Sequence, residues 1–226
     1  MKRKILRVLF LLVLLLTGWI ALSFFTVPVQ RPPREFPAPT SRFDFGKVLI
    51  VYYSFGGNTA EVAGRIRDMT GGSLFEIETQ KAYPSSPAIY ILSGLEVKNR
   101  NYPALKNTVN DFSSYDLIFV GSPAWWYTLA TPVHSFLSKV DFGGKTVIPF
   151  VTDGGNYGDS FINFEKEARN AKVVKGMNFK NVQKTDISAL DQKISAWLEE
   201  LKKEYGKKSD DVLPEYTLSV SFVRKR

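Results

Sequence analysis

The sequence predicts an α/β fold in which helices cover both faces of a parallel β-sheet. From Phe45 onward, short apolar runs alternate with helical stretches, which is the pattern of parallel strands joined by crossover helices. The chain has 226 residues, of which 44% are hydrophobic. This length allows one full core and leaves little for a second large domain, so we expect a single α/β domain with appendages.

Residues 45–205 are expected to hold this domain, built from five strands and five helices. The strands are predicted from apolar runs at 47–53, 73–79, 115–121, 145–151 and 172–178. The helices are predicted between and after them, at 58–69, 86–99, 131–139, 158–169 and 187–204. The segment 80–103 is longer than a plain crossover, and Tyr83-Pro84 and Tyr102-Pro103 are expected to bound its helix.

Residues 1–26 are predicted to form a membrane anchor or a signal segment. Val8 to Phe25 carries no charge and follows four basic residues, as expected of a transmembrane helix. The apolar character continues to Val29, beyond the usual signal-peptide core of about 7 to 15 residues, which favours an uncleaved anchor over a cleaved segment. Basic residues before the span predict a single-pass membrane protein with its domain on the extracytoplasmic side.

Two appendages flank the domain. Residues 27–44 hold five prolines between Val27 and Thr40 and are predicted to form a stiff, proline-rich spacer. Residues 206–226 form a C-terminal tail with an alternating segment at 216–223. Two interpretations of that segment stay open: an added edge strand, or a flexible tail that contacts the membrane through its basic end.

Charge and cysteine content exclude several classes of function. The net charge is +8, but four positive residues before the apolar span and three at the C-terminus account for seven of it, which leaves +1 for the remainder. Basic ends of this kind suit membrane lipid or topology better than nucleic acid. The absence of cysteine excludes disulfides, thiolate metal sites and cysteine nucleophiles.

Three loops are expected to meet at the carboxyl edge of the sheet, where open parallel sheets bind ligands. The first loop follows strand one and holds Ser54, Phe55, Gly56, Gly57, Asn58 and Thr59. Its small and hydroxylated residues lead into a helix, so backbone N–H groups and the helix dipole would converge on a phosphate. The loop has neither the lysine of a nucleotide P-loop nor the spacing of a dinucleotide fold. An ordinary glycine turn, with Asn58 or Thr59 capping the helix, is the alternative.

The second and third loops indicate an aromatic ligand. The second holds Pro123, Ala124, Trp125 and Trp126, and the third holds Thr152, Asp153, Gly154, Gly155 and Tyr157. Adjacent tryptophans in a loop cannot easily both point into one core, so at least one is expected to contact a partner outside it. The two glycines allow close backbone approach, and Tyr157 is a further candidate ring. Together with the first loop, this pattern predicts a site for flavin mononucleotide (FMN).

Residues 47 to about 201 resemble a flavodoxin, and three motifs carry the resemblance. The family's phosphate signature, roughly [ST]-x-T-G-x-T, is matched by Ser54, Gly57 and Thr59, with Gly56 in place of the middle threonine. The P-x-W-W segment of a bacterial flavodoxin-like subgroup is matched by Pro123, Trp125 and Trp126, with Tyr127 where the subgroup tends to have glycine. The T-S-G-G segment is matched by Thr152, Gly154 and Gly155, with Asp153 in place of the serine.

The resemblance implies a doubly wound five-stranded parallel sheet of order 2-1-3-4-5 with FMN at the junction of strands one and three. It also implies electron transfer to a redox partner protein, and relatives with this fold reduce quinones with a nicotinamide cofactor. The alternatives are therefore a membrane-tethered FMN-dependent NAD(P)H:quinone reductase and a flavin-free binding module, the latter motivated by Gly56 and Asp153. An exported chain would have to acquire FMN outside the cytoplasm, so an inverted topology with a cytoplasmic domain is the alternative to the topology above.

Two further expectations concern single residues. Asp153 and the aromatic rings should lower the reduction potential of the flavin, because both disfavour added negative charge. Asp153 could instead bond its own backbone as a turn residue. His134, near the start of a helix, is expected to be a surface residue or a helix-start contact rather than a general acid.

Overall fold

The computed structural model describes residues 42–206 of the chain. Its strands are β1 (Val48–Tyr52), β2 (Ser73–Glu76), β3 (Leu117–Trp125), β4 (Thr128–Leu129), β5 (Thr146–Asp153), β6 (Lys172–Val173) and β7 (Met177–Lys180). Its helices are α1 (Asn58–Thr70), α2 (Ala88–Asn99), α3 (Thr131–Lys139), α4 (Ser160–Glu167) and α5 (Ile187–Tyr205), with a 3-10 turn at Val182–Lys184. The predicted membrane segment and nearly all of the spacer and tail lie outside these residues. Between residues 42 and 206, no helix is both long and apolar enough to span a bilayer.

The sheet is parallel apart from one short hairpin, and its main path runs β2-β1-β3-β5-β6. The expected order is corrected at two places, because the described sheet has seven strands rather than five. β4 is an additional antiparallel strand that pairs with the end of β3. The predicted fifth strand is divided into β6 and β7, which both pair with β5.

Pro149 explains why the fifth strand is divided. β6 pairs with Thr146 and Val147 of β5, and β7 pairs from Phe150 onward, so the gap lies opposite Ile148 and Pro149. Proline has no N–H to donate to a strand ladder. Pairing with β5 therefore stops at this position. It resumes at Phe150 with the partner strand shifted by one residue.

The core lies on both faces of the sheet, as the α/β prediction requires. Ile50 of β1 packs in one cluster under α1 and α5, whereas its neighbours Leu49 and Val51 pack in a second cluster with residues of α3 and α4. Successive side chains of a strand point to opposite faces, so a strand buried on both sides must be apolar throughout. The unbroken apolar run of β1 follows from this requirement.

Several predicted boundaries shift in the structure. β2 ends at Glu76 rather than at 79, and β3 continues to Trp125 rather than ending at 121. The backbone N–H groups of Arg42 and Phe43 both donate to the Met69 carbonyl, at 2.7 and 2.9 Å, and the Phe43 ring is buried in the core. Packing against the domain therefore begins within residues that the sequence assigned to the spacer.

Candidate functional site

The first loop joins β1 to α1 and leaves the amino end of the helix without a side-chain cap. The N-cap residue is Gly57, with φ of 91°, and no side chain caps the helix there. The positive φ is unstrained only for glycine, which lacks a Cβ. Neither Asn58 nor Thr59 caps the helix, so the capping that the alternative of an ordinary glycine turn included is wrong. The positive end of the α1 dipole therefore faces the loop.

Two hydroxyls lie buried at this loop. The Ser54 side chain is 1% exposed, and its Oγ has no hydrogen-bond partner within residues 42–206. The Thr59 Oγ1 lies 2.8 Å from the Oγ1 of Thr152, so the first and third loops are hydrogen-bonded to each other. A buried hydroxyl without a partner costs free energy, so the Ser54 Oγ is a donor in need of an acceptor.

The glycines of the first and third loops leave open space beside the backbone. A Cβ built on Gly57, Gly154 or Gly155 would meet no atom within 4 Å, and one on Gly56 would meet only the Gln183 amide at 3.8 Å. Nothing inside the described protein therefore requires small residues at Gly154 and Gly155. A ligand that approaches the backbone closely would account for them.

The second loop is a strand that turns back as a hairpin, which corrects the prediction of a loop. Pro123, Ala124 and Trp125 belong to β3, and Trp125 pairs with Thr128 of β4. Trp126 and Tyr127 form the turn between the strands, with φ of 53° and 62°. Two-residue hairpin turns favour positive φ, but bulky side chains rarely adopt it. The turn therefore carries backbone strain at both positions.

The two tryptophans have different environments. The half-buried Trp125 ring makes edge-to-face contacts with Tyr53, Phe55 and Tyr83, at centroid distances of 5.6, 5.9 and 5.3 Å. The Trp126 ring is 50% exposed, and its Nε1–H donates to the Ser93 Oγ at 3.0 Å. Trp125 therefore packs among aromatic rings, whereas Trp126 lies over Gly94 of α2 and keeps half of its surface exposed.

The third loop is shorter than predicted because Thr152 and Asp153 complete β5. The Asp153 Oδ1 accepts the Gly155 N–H at 2.5 Å, so this carboxylate does act as a turn residue. Its Oδ2 is buried and has no hydrogen-bond partner among the described residues. Tyr157 is 39% exposed, and its ring contacts Phe161 edge-to-face at 5.3 Å.

A cavity of about 350 Å³, here called the ring cavity, opens between the β3-β4 hairpin and α2, with Phe55 and Asn156 at its walls. Four predicted site residues line it, which are Phe55, Ala124, Trp125 and Trp126, whereas Ser54 and the predicted residues of the third loop do not. Sequence reasoning missed five others, which are Ile89, Tyr90, Ser93, Tyr127 and Asn156. Three of these lie on α2, whose apolar residues do not cluster on one face. Exposed Tyr90, Ile91 and Leu95 give this helix an apolar surface outside the core, and this was the available signal that α2 borders a cavity.

A hydrogen-bonded group fixes α2 beside the ring cavity. The Tyr83 hydroxyl and the Thr131 Oγ1 both donate to the Glu96 Oε2, each at 2.6 Å. Burial, and after it the hydrogen bond to Glu96, raises the pKa of Tyr83, so its hydroxyl stays protonated and continues to donate. The Tyr83 ring contacts Trp125 from the other side, which fixes the wall of the cavity.

His134 is buried, which contradicts the expectation of a surface residue. Its side chain is 3% exposed, and its Nδ1 lies 2.7 Å from the Glu167 Oε2. Its Nε2 lies 3.1 Å from the Thr128 Oγ1, and its ring stacks on Tyr102 at 4.7 Å. The carboxylate is 33 residues away in sequence, so the chain gave no local sign of this pairing.

Comparisons with known proteins agree with this architecture. The sequence model of the flavodoxin family matches residues 47–201, well over half of the chain. A search of curated proteins found no match.

Solved structures of similar proteins have the same fold. A candidate flavoprotein from Bacteroides eggerthii is 29% identical with a TM-score of 0.58, over 68% of this chain and 96% of that one. A second candidate flavoprotein, from Bacteroides uniformis, is 27% identical with a TM-score of 0.56, over 66% and 98%. A flavoprotein from Lactobacillus acidophilus in complex with FMN is 24% identical with a TM-score of 0.53, over 58% and 92%, and shares the fold.

Proposed function

Because the chain belongs to the flavodoxin family, we propose that it binds FMN and works as an electron-transfer protein tethered to a membrane. The observation that carries FMN binding is the Ser54 hydroxyl, which is buried without a partner beside the uncapped amino end of α1. A donor in this position costs folding free energy unless an acceptor fills the site. The phosphate of FMN is such an acceptor, and an uncapped helix end favours its charge.

The described residues fit both ends of this cofactor. The phosphate would be held by Ser54, by Thr59 and by the backbone N–H groups that follow Gly56 and Gly57. The flat ring would lie in the ring cavity, against the aromatic side chains that line it. Gly154 and Gly155 do not line this cavity, but their open backbone would leave room for the cofactor at the third loop. The P-x-W-W segment, with Trp125 packed and Trp126 exposed, supports membership of the bacterial subgroup that has this segment.

When bound, FMN supplies the redox chemistry, and the protein binds it, orients it and tunes its potential. The buried, unpartnered Oδ2 of Asp153 places a carboxylate near the third loop, where it would disfavour added negative charge on the ring. We therefore expect a low-potential electron carrier. A potentiometric titration of the FMN-loaded protein tests this, and a potential no lower than that of free FMN would contradict it.

A membrane-tethered FMN-dependent NAD(P)H:quinone reductase is the second candidate function. The observation that favours it is the buried His134, which is paired with the partly exposed Glu167 in a cavity that shares Trp126 and Tyr127 with the ring cavity, because a histidine–carboxylate pair is a candidate general acid or base. Steady oxidation of NADH or NADPH with a quinone present would favour the reductase. The absence of turnover in an FMN-loaded protein that still exchanges electrons with a redox mediator would favour the carrier.

A flavin-free binding module is the outcome if FMN does not bind. The purified full-length protein should be yellow, with flavin absorbance in the visible range, or should acquire that spectrum on addition of FMN. Failure to bind FMN at micromolar concentration would favour the binding module.

The proposed location is a single-pass membrane protein with its domain on the extracytoplasmic side. The uncharged segment from Val8 to Phe25 and the basic residues before it support this location. Protease added to intact cells should degrade the domain. A domain that is protected until the cells are opened would instead favour the cytoplasmic orientation.

A further inference from the structure

A second cavity, here called the His134 cavity, shares the Trp126-Tyr127 turn with the ring cavity. Its volume is about 640 Å³, compared with about 350 Å³ for the ring cavity, and both turn residues line both cavities. The remaining walls come from the end of α2, from α3 and from α4. A volume of this size is typical of small-molecule sites.

Backbone strain is concentrated around this cavity. Five non-glycine residues between positions 42 and 206 have positive φ, and two of them are Asn170 and Asn181, which adopt this conformation readily. The other three are Arg100, Trp126 and Tyr127, with φ of 50°, 53° and 62°, and all three line the His134 cavity. Such strain costs roughly 1–3 kcal/mol per residue and tends to cluster at ligand sites.

The floor of the cavity is a hydrogen-bonded chain of polar groups. The Asn163 Nδ2 donates to the Thr128 Oγ1 at 2.8 Å, and that hydroxyl lies 3.1 Å from the His134 Nε2. The His134 Nδ1 in turn lies 2.7 Å from the Glu167 carboxylate. Fixing a nearly buried imidazole by contacts at both ring nitrogens costs conformational entropy. Electron transfer at the ring cavity does not use this group.

The walls and lip of the cavity indicate the class of ligand. Trp126 and Tyr127 are 50% and 64% exposed, and the Tyr102 ring is stacked on His134, so the cavity offers aromatic surface to a flat molecule. Arg100 and Lys166 are exposed at the lip, and neither makes an ion pair with another residue of the described part. Asp159 also lines the cavity, whereas Glu167 is engaged by His134.

We propose that the His134 cavity is a second ligand site and that it binds a small planar aromatic anion. The aromatic ring packs against the Trp126-Tyr127 turn, and the anionic group interacts with Arg100 and Lys166. The guanidinium group suits a planar carboxylate, because it can donate two parallel hydrogen bonds. The proposal does not require bound FMN, because Arg100, His134 and Lys166 line this cavity and not the ring cavity.

The test exploits the fact that His134 is the one histidine of the full sequence. In a full-length protein purified without a histidine tag, the ring signals of a single imidazole can be followed by NMR without assignment. The probe is 2-naphthoate, and 2-naphthamide is its uncharged control of the same shape. The protein is first saturated with FMN, so that a flat probe cannot enter the ring cavity.

Titration with 2-naphthoate should shift the His134 ring signals in a saturable way, and 2-naphthamide should bind at least about tenfold more weakly. The double variant Arg100→Gln/Lys166→Gln should lose at least about tenfold in naphthoate affinity and should remove the preference for the anion. The matched double variant Lys98→Gln/Lys139→Gln removes two exposed cations that do not line the cavity, and its affinity should be unchanged.

Three results would overturn the proposal: unchanged His134 signals at millimolar naphthoate, equal binding of the two probes, or equal losses in both double variants. If FMN fails to bind, the titration is repeated on the flavin-free protein, and the His134 signals still report whether the probe enters this cavity. Failure of the FMN proposal and failure of this one are therefore distinguishable.

Discussion

Replacing Ser54 with alanine should raise the stability of the flavin-free protein and lower its affinity for FMN. The Ser54 Oγ is buried and has no hydrogen-bond partner among residues 42–206. A buried polar group without a partner costs about 1–3 kcal/mol, and alanine removes that cost. A gain of this size in a domain of this length corresponds to about 2–4 °C in Tm for each kcal/mol.

The same substitution should weaken FMN binding, because the hydroxyl would donate to a charged phosphate. Hydrogen bonds to charged groups contribute about 1.5–3 kcal/mol, which corresponds to roughly a tenfold to 150-fold increase in Kd. Thermal unfolding followed by circular dichroism gives the first quantity. Quenching of FMN fluorescence on titration with the full-length protein gives the second.

Ser135→Ala is the matched control. Ser135 is also buried, but its Oγ donates to the Pro103 carbonyl at 2.7 Å, away from the three loops. Its replacement should cost about 1 kcal/mol of stability and leave the Kd for FMN unchanged. The reasoning would be refuted if Ser54→Ala destabilised the flavin-free protein as much as Ser135→Ala does, or if it left FMN affinity intact.

Three further substitutions test the walls of the site. Tyr83→Phe removes a donor to the Glu96 carboxylate and should lower the free energy of unfolding, measured in urea, by about 1.5–3 kcal/mol. An unchanged free energy of unfolding would mean that this hydrogen bond does not stabilise the fold. Tyr127→Gly relieves a positive φ that costs about 1–2 kcal/mol, but glycine adds an entropic cost of folding of about 0.5–1 kcal/mol. The free energy of unfolding measured in urea should therefore rise slightly, and a marked decrease would contradict this expectation. Asp153→Asn removes a negative charge from the third loop and should raise the reduction potential of the FMN-loaded protein in a potentiometric titration. An unchanged potential would mean that Asp153 does not tune the flavin.

Much of the fold could be predicted because its main signals are local in sequence. The apolar run of β1 and the alternation with helices predicted the sheet, and α3 begins and ends where the sequence placed it. The β4 hairpin could not be predicted, because Trp126 and Tyr127 lack the glycine or asparagine that marks such turns. The division of the fifth strand depends on Pro149, and its effect on a neighbouring strand requires the pairing register.

The sequence indicated three candidate loops, but neither the contribution of α2 to the ring cavity nor the environments of the side chains. The motifs identified the three loops, yet the unpartnered state of the Ser54 hydroxyl is a property of three-dimensional packing. The hydrogen bond from Thr59 to Thr152 spans 93 residues, and the pairing of His134 with Glu167 spans 33. Contacts at such separations leave no periodic pattern in the sequence, so the His134 cavity became visible only in the folded structure.

The central claim is that the first loop holds the phosphate of a flavin whose ring lies in the ring cavity. A side-by-side titration with FMN and riboflavin tests it most directly, because the two differ only in the phosphate. Flavin fluorescence should be quenched by the full-length protein, with FMN bound roughly a hundredfold more tightly or better, as two or more hydrogen bonds to a charged group would give. Equal affinity for the two flavins, or no quenching by either, would contradict the account.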